Sequence, residues 1–254
     1  MDRTHLRARV LAGEVTYGAF AMAGSPLATQ LLGRAGFDWL IVDLEHGEAT
    51  EADLVANILA AQAAGTTAIV RPQSGERLRI GRALDMGAEG IMVPRLETPD
   101  EVRDAVSYLR FPPDGVRGLA LVTRGAGLGS VRHADVRGLN QPILGVIQIE
   151  SARAVDNAPQ IAAIDGVDVL FVGPADLSHD LGIPGRFEEP AFQAALRTVA
   201  GAASASGKAA GILLRAASEA GAYRDLGYRF LGIGSDGTFV IDGATAALEA
   251  ARAG

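Results

Sequence analysis

The chain has 254 residues, with 23 basic against 30 acidic side chains, a formal net charge of −7, and 48% hydrophobic to 21% charged residues. A chain this long buries roughly 75% of its unfolded surface and needs no metal or disulfide to fold; without cysteine it has no disulfide framework, thiolate metal site or cysteine nucleophile, and it fits a reducing compartment. The acidic balance argues against nucleic acid as partner, no apolar run approaches the roughly 18 residues of a membrane span, and Met1-Asp2-Arg3-Thr4-His5 lacks the apolar core of a signal peptide, so the expected location is the cytoplasm.

Short apolar runs alternate with longer alanine-rich amphipathic ones. The predicted strands are residues 16–22, 39–45, 67–72, 90–95, 143–150, 168–173, 209–214 and 229–234. Runs such as Leu40-Ile41-Val42 and Val169-Leu170-Phe171-Val172 lack strict alternation, as in parallel strands buried on both faces. Thr50 and Glu51-Ala52-Asp53 predict a cap and acidic first turn before a helix over 54–64. Thr98-Pro99-Asp100-Glu101 opens a helix over 99–109, with proline at its first position. Gly65, Gly87, Gly207 and Gly227 sit where helices should stop. Eight βα units in about 250 residues predict a single-domain α/β (β/α)₈ barrel over residues 1–254, with a doubly wound open sheet as the competitor. Residues 110–142, rich in glycine and proline, break the rhythm; a loop that long is functional or disordered.

In a parallel barrel the chemistry belongs at the carboxyl ends of the strands, and here those ends are charged. Strand two runs out through Asp43-Leu44-Glu45-His46, strand three through Val70-Arg71-Pro72, strand four through Pro94-Arg95, strand five through Gln148-Ile149-Glu150 and strand six through Gly173-Pro174-Ala175-Asp176. Each alone reads as a strand leaving the core into water; five in a row do not. Glu150 and Asp176 lie one βα repeat apart. Strands about 4.8 Å apart can bring two such carboxylates together, and a proton or cation must then sit between them. Oxygen ligands suit a hard divalent ion such as Mg²⁺ or Mn²⁺; the alternative is a carboxylate bonded to a helix start. Arg71 at a strand end wants a carboxylate or oxyanion before it. His46 could be a general base, its ring oriented by Asp43 or Glu45, or a structural histidine.

These residues resemble the HpcH/HpaI family of class II pyruvate aldolases. Asp38-Trp39-Leu40-Ile41-Val42-Asp43-Leu44-Glu45-His46 is similar to one of its signatures. Val70-Arg71-Pro72, residues 87–94, Pro112-Pro113-Asp114-Gly115-Val116-Arg117-Gly118, Gln148-Ile149-Glu150 and residues 172–178 resemble the others, in the same order, over about residues 5–250. Within the family the likeness is to the aldolases of 4-hydroxy-2-oxoheptanedioate and 2-dehydro-3-deoxyglucarate. The resemblance implies a barrel with an exchanged C-terminal helix, packed as a hexamer (a trimer of dimers). It implies a divalent metal (Mg²⁺, Mn²⁺ or Co²⁺) on Glu150 and Asp176 that takes a pyruvate-type 2-oxoacid as enolate. Gln148, Gly173, Pro174, Ala175 and Leu213 would hold the donor. Arg71 would stabilise the enolate oxygen, and His46 with Asp43 would move the proton. The implied reaction is reversible cleavage of 4-hydroxy-2-oxoacids to pyruvate or hydroxypyruvate and an aldehyde.

The chain's own composition bears on this. A Schiff-base aldolase needs lysine, and Lys208, the only one, precedes strand seven at its amino end; a metal acting as Lewis acid fills the gap. Two features depart from the family. Strand one ends in Phe20, and Arg124 in the loop Thr123-Arg124-Gly125-Ala126-Gly127-Leu128 has no aromatic neighbour. That loop is expected to be mobile and, through Arg124, to shape the aldehyde site. The competing readings are a CoA-thioester lyase of the malyl- or citryl-CoA type, which an acidic chain with one lysine serves poorly, and a non-catalytic oxoacid-binding barrel. Gly232-Ile233-Gly234-Ser235-Asp236-Gly237 could cradle a phosphate, His179 lies just past Asp176, and His5 and His133 read as exposed. Residues 244–253 are apolar enough to pack on another subunit or on their own core.

Overall fold

In the computed structural model, which describes residues 5–253, eight parallel strands close into a barrel in chain order. They are β1 (Thr16–Ala21), β2 (Trp39–Asp43), β3 (Thr67–Arg71), β4 (Gly90–Val93), β5 (Leu144–Ile149), β6 (Val169–Val172), β7 (Ala209–Leu214) and β8 (Tyr228–Ser235). The helices are α1 (Leu6–Leu11), α2 (Pro26–Arg34), α3 (Leu54–Ala64), α4 (Arg77–Asp85), α5 (Pro99–Ser107), α6 (Ala152–Asp156), α7 (Ala158–Ala162), α8 (Pro174–Asp180), α9 (Pro190–Ala205), α10 (Ala220–Asp225) and α11 (Asp236–Ala253). The barrel, not the open sheet, is the fold.

The strands are buried on both faces because a barrel strand has two cores. One alternate set of side chains, Trp39, Ile41, Ile69, Val146, Val169 and Phe230 among them, fills the barrel interior. The other set, including Leu40, Val42, Val70, Ile147 and Leu170, packs outward against the helices. Trp39 stacks on Phe230 at 4.0 Å between ring centroids and donates Nε1–H to Thr16 Oγ1 at 3.2 Å. A Cβ on Gly18 would come within 2.1 Å of two atoms of that indole, so only glycine fits beneath it. Leu6 and Val10 of α1 plug the amino end of the interior. Beside them Arg7 Nε donates to the fully buried Asp168 at 2.9 Å, and the Gly145 N–H donates to the same oxygen at 2.9 Å.

The helix signals hold with one change. Thr98 and Glu101 form a reciprocal capping box at the start of α5, with Pro99 first. Gly65 closes α3 at φ 89° in the left-handed region. The start of α3 differs: Asp53 accepts hydrogen bonds from Thr50 N and Oγ1, making a turn of residues 50–53, and the helix begins at Leu54. The long 110–142 connection is built rather than structureless, with 3₁₀ turns at Arg124–Ala126 and His133–Asn140.

Candidate active site

The two-residue period that fills the barrel interior continues to its carboxyl end, where the side chains turn polar. On β2 the inward series runs Trp39, Ile41, Asp43; on β3 it runs Ile69, Arg71; on β5 it runs Leu144, Val146, Gln148. Asp43 and Arg71 are register partners. Arg71 donates Nε to Asp43 Oδ1 at 2.8 Å and Nη2 to Oδ2 at 2.6 Å, a fork that fixes the plane of the guanidinium. Its remaining nitrogen, Nη1, faces Glu45 at 3.2 Å and Gln148 Oε1 at 3.5 Å. The Phe20 ring lies 5.2 Å from Arg71 Cζ, so the phenylalanine that ends strand one flanks the cation. Burial works against the Arg71 charge, but the Asp43 hydrogen bonds and charge, with Glu45 and Glu150, outweigh it and hold its pKa above the ordinary arginine value.

Asp43 Oδ1 also accepts the backbone N–H groups of Glu45 at 3.0 Å and His46 at 3.4 Å, which shapes the turn carrying His46. The carboxylate beside the His46 ring is therefore Glu45, 3.8 Å from Nε2; Asp43, paired with His46 in the family-based expectation, is committed to Arg71. The His46 side chain is 60% exposed and faces the cavity.

Glu150 follows β5 and is held at both oxygens, by the Arg95 N–H at 2.8 Å and by Gln148 Nε2 at 3.1 Å. A Cβ on Gly173 would sit 2.8 Å from Glu150 Oε2, so the glycine at the β6 exit makes room for that carboxylate. Asp176 lies in the first turn of α8. Burial raises the Glu150 carboxyl above the usual range; the charges of Asp176 and Glu45 add to this, against the Arg95 amide and Arg71. Burial likewise raises Glu45. Four acids, Asp43, Glu45, Glu150 and Asp176, thus gather with two arginines, Arg71, which pairs with Asp43 and Glu45, and Arg95, which reaches Asp176 at 4.0 Å. The surplus is anionic and made of oxygen donors, which fits a hard divalent cation. No group of three or more His, Cys, Asp or Glu converges in ligand geometry among the described residues; Glu150 and Asp176 would leave the remaining positions to water and substrate oxygens.

Two cavities meet at Asp176. The larger, about 720 Å³, is lined by Phe20, His46, Arg71, Gln148, Leu213 and the turn Gly173-Pro174-Ala175, with a far wall from the β7 and β8 exits and α11. The smaller, about 360 Å³, runs from Asp176 past Glu150 and Arg95 to His179. Arg124 lies elsewhere. Its chain packs against Gly87 before β4, and the adjacent Gly125 abuts Leu84 O, so this loop lies against the C-terminal end of α4, away from the cavity of its own chain. The glycine-rich turn after β8 is stoppered by its own acid: Asp236 accepts the N–H groups of Met22, Ala23 and Gly237, leaving no cradle for a phosphate. His5 and His133 are exposed. Sequence reasoning named Arg95 among the charged strand ends without giving it a role, and it passed over Phe239 and Asp242. Arg95 aims its amide at Glu150 from a left-handed backbone, φ 56°, which no residue type there signals. Phe239 and Asp242 share one face of α11 on the cavity wall, a three-residue spacing that could have been read.

Residues 16–243 match the HpcH/HpaI aldolase/citrate lyase family. The chain belongs to that family. Its members are carbon–carbon lyases, and curated relatives agree. The chain is 36% identical over 230 residues to proteins named 5-keto-4-deoxy-D-glucarate aldolase from Shigella boydii and Escherichia coli, covering 91% of this chain and 89–90% of theirs. Among solved structures, an HpcH/HpaI aldolase/citrate lyase family protein from Burkholderia cenocepacia superposes with a TM-score of 0.92 at 37% identity, over 97% of this chain and 98% of that one. The citrate synthase SbnG superposes at 0.88 with 27% identity, over 98% and 97%. This aldolase and lyase family includes the expected fold and reaction type. No helix among the described residues is long and apolar enough to cross a membrane.

Proposed function

We propose that this HpcH/HpaI-family lyase reversibly cleaves 4-hydroxy-2-oxoacids to pyruvate or hydroxypyruvate and an aldehyde, with a divalent cation at Glu150 and Asp176. The observation that carries the reading is the surplus of negative charge gathered at the carboxyl end of the barrel around the half-buried Glu150. Glu150 is raised by burial and by Asp176, while Arg71 is forked to Asp43 and turns its remaining nitrogen to Glu45.

Glu150 and Asp176 would hold the divalent ion, which would supply a Lewis acid for the oxoacid donor. The chain's own groups do the rest. Gln148 and the Gly173-Pro174-Ala175 turn border the donor end of the cavity and orient the oxoacid. Arg71, its plane fixed by Asp43, keeps Nη1 toward the cavity side of Glu45 and Gln148, where negative charge develops on the substrate oxygen. His46, on the cavity wall beside Glu45, takes the proton of the C4 hydroxyl during cleavage and returns it during condensation. Leu213 and Phe20 shield this region from water.

The CoA-thioester reading finds less support. The cation on the outer wall of the cavity, Arg215, is engaged by Glu188 and Glu219 and is not free to meet a pyrophosphate. Assembly into a homo-oligomer is supported by α11, which carries Val240, Ile241 and Leu248 exposed. The deciding experiment is exchange of pyruvate methyl protons in D₂O, followed by NMR. Exchange is expected with Mg²⁺, Mn²⁺ or Co²⁺ and should stop in excess chelator. Exchange that continues unchanged in chelator removes the metal from the reading, and none under any condition removes the aldolase.

A further inference from the structure

At the amino end of the barrel, opposite the acidic ring, a cavity of about 480 Å³ opens between Arg7, Arg110 and Arg137, with Asn140 in its wall. Two of these guanidinia are already spent. Arg7 donates Nε to Asp168 and Nη1 to Gln141 O at 3.0 Å. Arg137 gives Nε and Nη2, one edge of its plane, to the two oxygens of Asp114 at 2.9 and 2.8 Å. Arg71 grips Asp43 by that same edge. Arg110 differs. Its side chain is as buried as that of Arg71, at 10% exposed, yet only its Nη1 is engaged, by Asp165 at 2.9 Å, and that aspartate is 89% exposed. The Nε and Nη2 edge of Arg110 makes no hydrogen bond among the described residues and is not sealed from solvent. The surroundings are shaped for this side chain. Gly166 holds φ 101°, and a Cβ there would lie 3.1 Å from Arg110 Cζ, so the guanidinium rests against bare backbone. Asn140 pins the next residue, accepting the Phe111 N–H at 2.8 Å and donating to Phe111 O at 3.0 Å, and it donates to Asp114 at 3.1 Å as well.

We propose that this amino-end cavity is a second binding site, for a small carboxylate anion gripped by the free edge of Arg110. A guanidinium edge and a carboxylate match in plane and spacing, and the chain itself forms that fork twice, at Arg71 and at Arg137. A buried guanidinium gains most from a partner that meets its remaining donors. Asp165 competes only weakly, because an exposed carboxylate paired through one nitrogen contributes little. Arg7 and Arg137 line the same cavity with their charges balanced by Asp168 and Asp114, so the ligand answers to Arg110. Gln141, on the cavity wall, precedes β5, and Gln148 and Glu150 lie at the other end of that strand. Occupancy here is therefore independent of the proposed aldolase chemistry.

The test titrates malonate, and malonamide as its neutral counterpart, into the metal-free full chain by calorimetry. Saturable malonate binding that salt weakens is expected, with none for malonamide. Asp165→Asn removes the competing acid from an exposed position and should tighten malonate about 1.5- to 5-fold. Arg110→Gln should weaken it at least about tenfold, the loss of a charged hydrogen-bonded pair. If Arg110→Gln does not fold, the tightening in Asp165→Asn decides, because a merely structural role for Asp165 would lower Tm without raising affinity. Pyruvate proton exchange with Mn²⁺ should be unchanged in Asp165→Asn, which stands at the far end of the barrel from the acidic ring. No saturable malonate binding, or equal affinity in wild type, Asp165→Asn and Arg110→Gln, overturns the site. Sulfate binding as tightly as malonate overturns the assignment to a carboxylate.

Discussion

The barrel carries an arginine paired with a fully buried aspartate at each end, and the two ends treat it differently. At the amino end Arg7 meets Asp168, and α1 seals the interior beside them with Leu6 and Val10. The charges there are matched and the carboxylate is fully buried. At the carboxyl end Arg71 meets Asp43 with the same economy, but Glu45, Glu150 and Asp176 crowd the same layer. A matched, sealed pair belongs to stability. A paired arginine inside an unmatched ring of acids, opening on a cavity, belongs to chemistry.

The largest expected effects come from exchanging one member of each pair. Arg71→Lys keeps the charge but loses the planar fork on Asp43, so kcat should fall about 10²-fold, in the range seen when one oxyanion donor is removed. Arg7→Ala leaves Asp168 buried with the Gly145 N–H as its remaining partner. It should cost about 3 kcal/mol of stability, the low end for stranding a buried charge, because the Arg7 side chain is itself 20% exposed. Its kcat per folded molecule should match wild type. Thermal unfolding and steady-state rates on both proteins check the contrast; an Arg7→Ala enzyme that stays stable but turns over slowly would break it.

Glu150→Gln sharpens the same distinction with a smaller change. The isostere keeps the Arg95 amide contact at one oxygen but removes the charge, so affinity for Mn²⁺ should drop by at least the about 10–100-fold that loss of an outer-shell partner costs. The metal-free protein should respond the other way. Glu150 is raised in the fold, so its contribution is fully present below the ordinary carboxylate pKa and is lost as pH rises through the raised folded value. Metal-free wild type should therefore lose stability over that window, and Glu150→Gln should show a flatter profile and a Tm higher by a few degrees, about 2–4 °C per kcal/mol for a domain this size. Mn²⁺ binding by wild type should weaken as pH falls through the same raised value. A metal-free Glu150→Gln protein less stable than wild type at neutral pH would mean that Glu150 is structural, like Asp168.

The contrast also explains what the sequence could and could not reveal. Eight apolar runs separated by capped helices were legible because each strand must satisfy an inner and an outer core. Asp43, Arg71, Gln148 and Glu150 were legible because a period of two carries inward positions straight out of the apolar run. Which carboxylate serves which partner was not legible: Asp43, Glu45 and His46 are near neighbours, and only the register of β2 against β3 gives Asp43 to Arg71 and leaves Glu45 beside the ring. Arg124 misled because its loop follows α5 in sequence but folds back against α4. The phosphate reading of residues 232–237 failed because the carboxylate that fills the turn, Asp236, lies within the motif itself, while two of the amides it satisfies come from residues after β1.

The smallest effect expected concerns Arg95, which stands at the border of the two behaviours. Its backbone serves the acidic ring, donating its N–H to Glu150 from a left-handed conformation. Its side chain opposes that ring's use, because the guanidinium lies 4.0 Å from Asp176, where it offers a competing positive charge. Alanine at this position keeps the same φ penalty and the same amide, so the substitution isolates the guanidinium. The pair is largely exposed, and such contacts contribute about 0.2–1 kcal/mol. Arg95→Ala should therefore tighten Mn²⁺ binding by about 1.5- to 5-fold, read by electron paramagnetic resonance of the free ion, with the gain fading at high salt. Weaker binding in Arg95→Ala would show that the guanidinium orders Asp176 as a ligand, and would place a matched pair inside the one region where the comparison predicts unmatched charge.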